Sequence, residues 1–558
     1  MSAVVNVAAR LAAAAQARPH ATAVIEPRGH GRDGRRNYVG FSFRELDQDS
    51  DVLALGLREM GVVPGTRMAL LVHPGFDFIS LVFALFKAGA VTVLVDPGIG
   101  IRALVGCLEE AKPEGFVAIA AVHAVRSLLR RRFRRSRFNL TVGHRWFWGG
   151  ATISRLRRRA PCGPQLAATG AEDPAAIIFT SGSTGPAKGV LYRHGNFDRQ
   201  VTEIRDRYGI EPGGTDLAGF PLFGLFNCAM GVTTVVPDMD ASHPAMVDPA
   251  KIVETIHDCR VTQAFASPAV WQRVGAHCVE RGTRLPTLRR VLSAGAPVPI
   301  VVLEQMKECL DGACEMHTPY GATEALPVAS ISAADVLGDT AAATRQGAGV
   351  CVGRRFPGIE WRVIRAVDLP LPSIAEAEEL PRGDIGELIV RGAVVTCEYV
   401  TRVEWNARAK IADGATAWHR MGDVGYFDGS QRFWYCGRLA HRVLTPRGPL
   451  YTEQCEAIFN NHPDVFRSAL VGLGPADRQK PVIIVEPRTG KQPANMAAER
   501  TLYAELRALA RENPMTAEIE SFLWHPSFPV DVRHNAKIFR EKLAVWATQK
   551  VQKGGPSR

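Results

Sequence analysis

No Cys-x-x-Cys pair occurs among the eleven cysteines, so neither a zinc cluster nor a disulfide framework is expected, and a reduced, cytoplasmic setting fits best. The N-terminal MSAVVNVAARLAAAAQARPH lacks the long leucine-type core of a secretory signal; with Arg10 and Arg18 around alanines it reads as a first surface helix. One uncharged stretch, Leu217 to Pro237, is nearly long enough to span a bilayer. Gly219, Pro221, Gly224, Asn227, Gly231 and Pro237 interrupt it, so a buried pocket wall is expected instead. No internal repeat is visible. Acids and lysine are missing from residues 126–159, which hold twelve arginines; without these the net charge of +11 falls to about −1. Arg130 to Arg137, RRRFRRSR, followed by Trp146, Phe147 and Trp148, suits anionic lipid, an acidic protein or a solvated basic face. Nucleic acid is least favoured, because no recognised binding motif accompanies the charge.

What is present is an ordinary globular composition, 46% hydrophobic and 22% charged over 558 residues, too long for one core. Residues 67 to 97 read as strand (RMALLV), helix (FDFISLVFALFKAG) and strand (AVTVLV), the unit of a parallel, doubly wound sheet. Arg290 to Leu292 and Glu387 to Val390 read as further strands and Asp248 to His257 as a helix, so α/β alternation continues to about residue 436. The remainder is smaller and mixed. Helices are expected at Tyr451 to Asn461 and Ala498 to Glu512, and strands at Arg467 to Gly472 and Pro481 to Pro487.

The chemistry concentrates at residues 177–190, IIFTSGSTGPAKGV. A strand opens into Thr180, Ser181, Gly182, Ser183, Thr184 and Gly185, whose hydroxyls and unobstructed amides suit a polyphosphate, and Lys188 adds a point charge. Gly189 and Val190 come after that lysine where a Walker loop needs Ser or Thr, which disfavours an ordinary P-loop NTPase.

Four more segments occur in order: HTPYGATE (317–324), GELIVRG (386–392), MGDVGYFD (421–428), and Gly437 with Arg438. With these the chain resembles the adenylate-forming superfamily of acyl-CoA synthetases, luciferases and peptide-synthetase adenylation domains, from about Phe43 to Lys537. The resemblance implies a large N-terminal α/β domain with doubly wound sheets, residues 1–439, and a small mobile α+β lid, residues 440–558. It implies ATP and Mg²⁺ as cofactors. Tyr320 would lie against adenine, with Gly295, Ala296 and Pro297 as the other wall; Gly321 would be a further ATP-binding residue, and Thr323 would bond the α-phosphate. Glu324, with Thr184, would hold Mg²⁺, and Asp423 and Arg438 would hold the ribose. Lys537, preceded by Ala536 where the family usually has glycine, would reach the carboxylate and α-phosphate. Catalytic roles thus fall to Lys537, Thr184 and Glu324.

Two departures bear on the step after adenylation. Members with a CoA step commonly place histidine or another bulky residue in a PLFH-type segment, whereas Pro221, Leu222, Phe223 and Gly224 stand here. The glycine either leaves room for a branched acid or simply packs; Phe223, Gly224, Phe226 and Asn227 are the expected acyl pocket. At the hinge, where Asp or Lys is usual, Ala440 and His441 stand. FPLFGLFN and FPVDVRHNAKIFREKL further resemble the branch of the superfamily that closes β-lactones from 2-alkyl-3-hydroxyalkanoic acids in bacterial long-chain olefin biosynthesis. That branch implies association with a thiolase, a reductase and a β-lactone decarboxylase. A long-chain acyl-CoA ligase and a non-catalytic adenylate-binding protein are the alternatives.

Overall fold

The structure, a computed structural model, describes residues 4–159, 163–180, 185–531 and 538–553. A seven-stranded sheet runs in the order Ala151–Thr152, Phe138–Val142, Gly115–Ile119, Arg67–Leu71, Val91–Leu94, Pro174–Phe179, Gly189–Arg193. All neighbours are parallel except the last pair. The β-α-β unit expected at 67–97 is there: Arg67 lies opposite Val91, and helix Phe76–Lys87 crosses between the strands. That helix is apolar all round because it is buried all round, the pattern of an element trapped between layers. Phe83, Leu85 and Phe86 are fully covered, each contributing about 1.5–3 kcal/mol of transfer free energy. Its one buried cation, Lys87, is held by Asp47 at 2.6 Å and Asp51 at 2.8 Å.

A second, larger sheet is parallel through Thr233–Val235, Thr215–Ala218, Gln263–Ala266, Arg290–Ser293 and Glu315–Ala322. It continues antiparallel through Ala325–Ser332, Val350–Arg355, Phe433–Arg438, Thr416–Phe427, Gly386–Gly392 and Ile359–Ile364. The uncharged run 217–237 forms a strand end, the helix Phe223–Ala229 and the strand Thr233–Val235, all folded into this layer. Among the described residues no helix is long and apolar enough to cross a membrane.

The C-terminal part builds three strands, Val465–Leu473, Lys480–Pro487 and Ser521–Trp524, against helices Thr452–Phe459, Met496–Arg511 and Arg540–Lys553. Val443, Cys455, Phe459, Ile483, Leu506 and Phe522 form an apolar cluster of their own. The arginine segment does not form one unit. Arg157 pairs with Asp49 and Asp77, both at 2.7 Å, and Arg159 with Glu59 at 2.5 Å, while Arg132 and Arg137 meet Glu109 and Glu114.

Candidate active site

The strand Pro174–Phe179 turns back as Gly189–Arg193, and the phosphate-type loop is the connection between them. Thr180 closes it twice: its amide donates to the Lys188 carbonyl and its hydroxyl accepts from the Lys188 amide, both at 3.0 Å. Gly185 has φ +147°, a conformation that side chains resist, with open space around it. Ser181, Gly182, Ser183 and Thr184 lie outside the described residues, as does Lys537.

Residues 395–401 lace this hairpin to the second sheet. Val190 bridges Tyr399, the Gly189 amide donates to Thr401 Oγ1 at 2.7 Å, and Ala325 bridges Val395. The lacing brings Glu324 under control: its Oε1 accepts from the Tyr399 hydroxyl at 2.6 Å, and its carbonyl accepts from the Thr396 amide and hydroxyl at 2.8 and 3.0 Å. Tyr192 donates its hydroxyl to the Thr323 carbonyl at 2.5 Å. Lys188 Nζ sits 4.4 Å from the Trp405 ring centre and 5.3 Å from that of Tyr399. Burial lowers its pKa, and Glu324 opposes that shift. A second lysine, Lys410, donates to the Thr396 carbonyl; burial lowers its pKa to about 8. Its cross-strand partner His419 is pushed well below the usual imidazole range by burial and by Lys410 itself. Tyr399, Trp405, Lys410 and His419 escaped sequence reasoning. A lysine in an otherwise ordinary strand sequence gives no sign of burial.

The other half of the site comes from register. Asp423 and Arg438 are direct partners on adjacent antiparallel strands, so their side chains share a face. Arg438 Nη1 lies 2.7 Å from Asp423 Oδ1 and also donates to the Met421 carbonyl at 2.9 Å. Asp423 raises the Arg438 pKa, so the guanidinium stays charged despite burial. Tyr320 donates its hydroxyl to the second Asp423 oxygen. Four strand steps separate Tyr320 from Asp423 in the sheet order, about 19 Å if flat, so the contact shows how tightly the sheet curls. Burial and Asp423 together raise the Tyr320 pKa. Gly321 is required by closeness, since a Cβ there would meet the Ala325 carbonyl oxygen at 2.6 Å. Gly295, Ala296 and Pro297 come after the strand Arg290–Ser293, which pairs directly with the Tyr320 strand; Gly295 has φ +99°.

The residues expected to form the acyl pocket sit on or beside the helix Phe223–Ala229. Phe223 stacks on Phe265, centroids 3.6 Å apart, and leans on Phe226 at 5.8 Å. Gly224 lies close to Ile79: a Cβ there would meet Ile79 Cδ1 at 2.8 Å. Ile79 also lines a small apolar cavity with Phe78, Ala218, Pro221, Thr234 and Val236. Asn227 is tied to the neighbouring strand. It is buried and donates to Asp216 at 2.7 Å, a carboxyl whose pKa burial lifts to about 7. At the hinge, Leu439–His441 is a single 3₁₀ turn directly after Arg438, and burial drops the His441 pKa to about 3.

The hairpin that carries Lys188, the Glu324 carboxylate and the Tyr320–Asp423–Arg438 cluster therefore come together, since Glu324 and Arg438 both act electrostatically on Lys188. The chain belongs to the AMP-binding enzyme family, which matches residues 11–400. Over 556 residues it is 47% identical to the olefin β-lactone synthetase of Stenotrophomonas maltophilia strain K279a, covering 98% of this chain and 99% of that protein. The same-named protein of Xanthomonas campestris pv. campestris is 46% identical, with 98% of both chains covered. Among solved structures, an amide bond synthetase from Marinactinospora thermotolerans aligns with a TM-score of 0.79 at 23% identity, over 97% of this chain and 99% of that one, which shows a shared fold.

Proposed function

We propose that the protein is an AMP-forming ligase that activates a 2-alkyl-3-hydroxyalkanoic acid and closes it to a β-lactone. The observation that carries this reading is the 46–47% identity to two olefin β-lactone synthetases over nearly the whole chain. The geometry supports the first half-reaction. Asp423 and Arg438 form a polar pair suited to ribose hydroxyls, Tyr320 offers a ring for adenine against Gly295, Ala296 and Pro297, and the Thr180–Gly185 loop with Lys188 and Thr323 offers donors to phosphates. Glu324, an oxygen donor oriented by Tyr399, fits a hard cation that takes its other ligands from phosphate and water. Mg²⁺ there, with Thr184 as a further ligand, would neutralise phosphate charge.

In the first step a carboxylate oxygen attacks the α-phosphorus, and pyrophosphate leaves. Lys537, carried on residues 440–558 as the lid, is the proposed cation for the charge that develops. In the second step the substrate's 3-hydroxyl oxygen attacks the acyl carbon, the bond to AMP breaks, and the hydroxyl proton is lost. Holding nucleophile and carbonyl in one molecule supplies an effective molarity of order 10⁵ M or more, set against ring strain. The reading puts the enzyme in the cytoplasm beside the thiolase, reductase and β-lactone decarboxylase of olefin synthesis.

The test is product identity. With ATP, Mg²⁺ and a 2-alkyl-3-hydroxy acid, and no CoA, mass analysis is expected to give β-lactone, AMP and pyrophosphate, while a 2-alkyl acid without the hydroxyl stops at acyl-AMP. A CoA thioester as the dominant product when CoA is added, with no lactone in its absence, would make the protein an acyl-CoA ligase.

A further inference from the structure

The arginine segment divides into paired and unpaired groups. Arg132, Arg137, Arg157 and Arg159 meet carboxylates, whereas Arg130, Arg131, Arg134 and Arg135 are exposed and meet none among the described residues. Those four cluster at one end of the strand Phe138–Val142, just after Leu128, which is 82% exposed. At the other end of that strand, about 17 Å away for five residues, the loop 143–150 presents Trp146 at 62% and Phe147 at 74% exposure.

This presentation is built. Trp148 is the half-buried root of the loop: its indole N–H donates to Thr141 Oγ1 at 3.0 Å, and its ring stacks on His123 at 5.6 Å. Trp146 and Phe147 lean on Trp148 at 5.5 and 5.3 Å. His123 is itself buried, with Nε2 3.1 Å from the Leu140 carbonyl. Burial lowers its pKa to about 4, so the ring beneath Trp148 is neutral at neutral pH. Large apolar side chains held out in solvent by an anchored neighbour call for a partner that removes them from water.

We propose that this edge of the seven-stranded sheet docks the enzyme on an anionic lipid bilayer. Trp146 and Phe147 enter the headgroup region, and Arg130, Arg131, Arg134 and Arg135 meet lipid phosphates. Four exposed arginines that no carboxylate engages among the described residues supply the complementary charge, and tryptophan on the same edge is the side chain that settles at a membrane–water boundary. Two footholds about 17 Å apart on one edge suit an extended flat surface better than a compact acidic epitope. The edge is also the far one: the strands Phe138–Val142 and Ala151–Thr152 lie at the end of the sheet opposite the phosphate-loop hairpin, so docking leaves the cleft open. The inference does not depend on which acid the cleft activates.

The experiment is co-sedimentation of the full chain with phosphatidylcholine vesicles, with and without phosphatidylglycerol, across salt. Wild type is expected to bind the phosphatidylglycerol vesicles and to be released as salt rises. Arg131→Glu with Arg134→Glu and Arg135→Glu should lower partitioning at least about tenfold, since each basic residue near an anionic surface contributes a severalfold factor. Trp146→Ala with Phe147→Ala should lower it about tenfold at fixed salt. Both variants alter exposed side chains, so thermal unfolding and pyrophosphate–ATP exchange are expected to match wild type. Absence of binding to anionic vesicles at low salt overturns the proposal. So does binding that falls with the charge reversals yet ignores the aromatic pair, because a surface that reads charge alone belongs to an acidic protein or nucleic acid.

Discussion

The two halves of the candidate site, the one proposed as the nucleotide side and the one proposed as the acyl side, are made differently. Asp423, Arg438 and Tyr320 stand on strands, where a direct cross-strand pairing and a tight curl bring charged and hydroxyl groups together. Phe223, Gly224 and Phe226 stand on one short helix whose position is set by contacts with Ile79, Phe265 and the Asn227–Asp216 bond. Polar groups out of water must be matched one by one, whereas an apolar wall needs only to be filled. Damage on the nucleotide side should therefore be electrostatic and specific to a pair, and damage on the acyl side should be steric and repairable by volume.

The sharpest break of that contrast is Asp423→Ala. It leaves the half-buried Arg438 without its carboxylate, which costs about 1.5–3 kcal/mol of stability, seen in denaturant unfolding. Adding Arg438→Ala should recover part of the loss, and a cost under about 1 kcal/mol would mean that the pair is not a buried unit.

Lys410 comes next and is read through pH. Burial holds its folded pKa at about 8 against an ordinary 10.5, so on acidification the unfolded chain takes up the proton first. Its neutral form is tolerated above 10.5; stability is then lost as pH falls from 10.5 to 8 and levels off below. Relative to Lys410→Met, wild type should lose about 3 kcal/mol across that window; a flat difference would place the ammonium in water.

Gly224→Phe tests the acyl side. The new ring is driven into Ile79, and overpacking of this kind costs about 1–3 kcal/mol, with activity lost alike for branched and unbranched acids. Ile79→Ala in the same chain should restore part of both. Full stability with loss confined to branched acids would instead mean that substrate occupies the space beside the glycine. The smallest effect is expected for Tyr399→Phe, which removes one hydrogen bond to Glu324 and should slow pyrophosphate–ATP exchange about fivefold, near 1 kcal/mol; unchanged exchange would show that Glu324 is oriented without it.

Much of this arrangement was legible from local pattern. The β-α-β unit at 67–97 carries its own periodicity, and the loop between Phe179 and Gly189 announces itself by its hydroxyls, glycines and lysine. Tyr399 did not, because its partner Glu324 is 75 residues away and no period links them. Lys410 and His419 look like surface residues until the pairing of their strands and the lacing segment cover them. Gly224 had two meanings in sequence, and its closeness to Ile79 bears on one of them. The arginine run read as one block because composition sums charges without regard to direction. Folding turned Arg157 inward to Asp49 and left Arg131 outside.

The direct pairing of Asp423 with Arg438 also bears on how such a chain can change over generations. A single-residue insertion on either strand would reverse which face every later side chain takes, so drift there is confined to substitutions that keep length and alternation. The short helix Phe223–Ala229 has no cross-strand register to keep, and what constrains it is the volume around its rings. On the proposed roles, the fold would separate a constrained engine from an adaptable mouth, so that new acids could be tried without rebuilding the strands assigned to ATP.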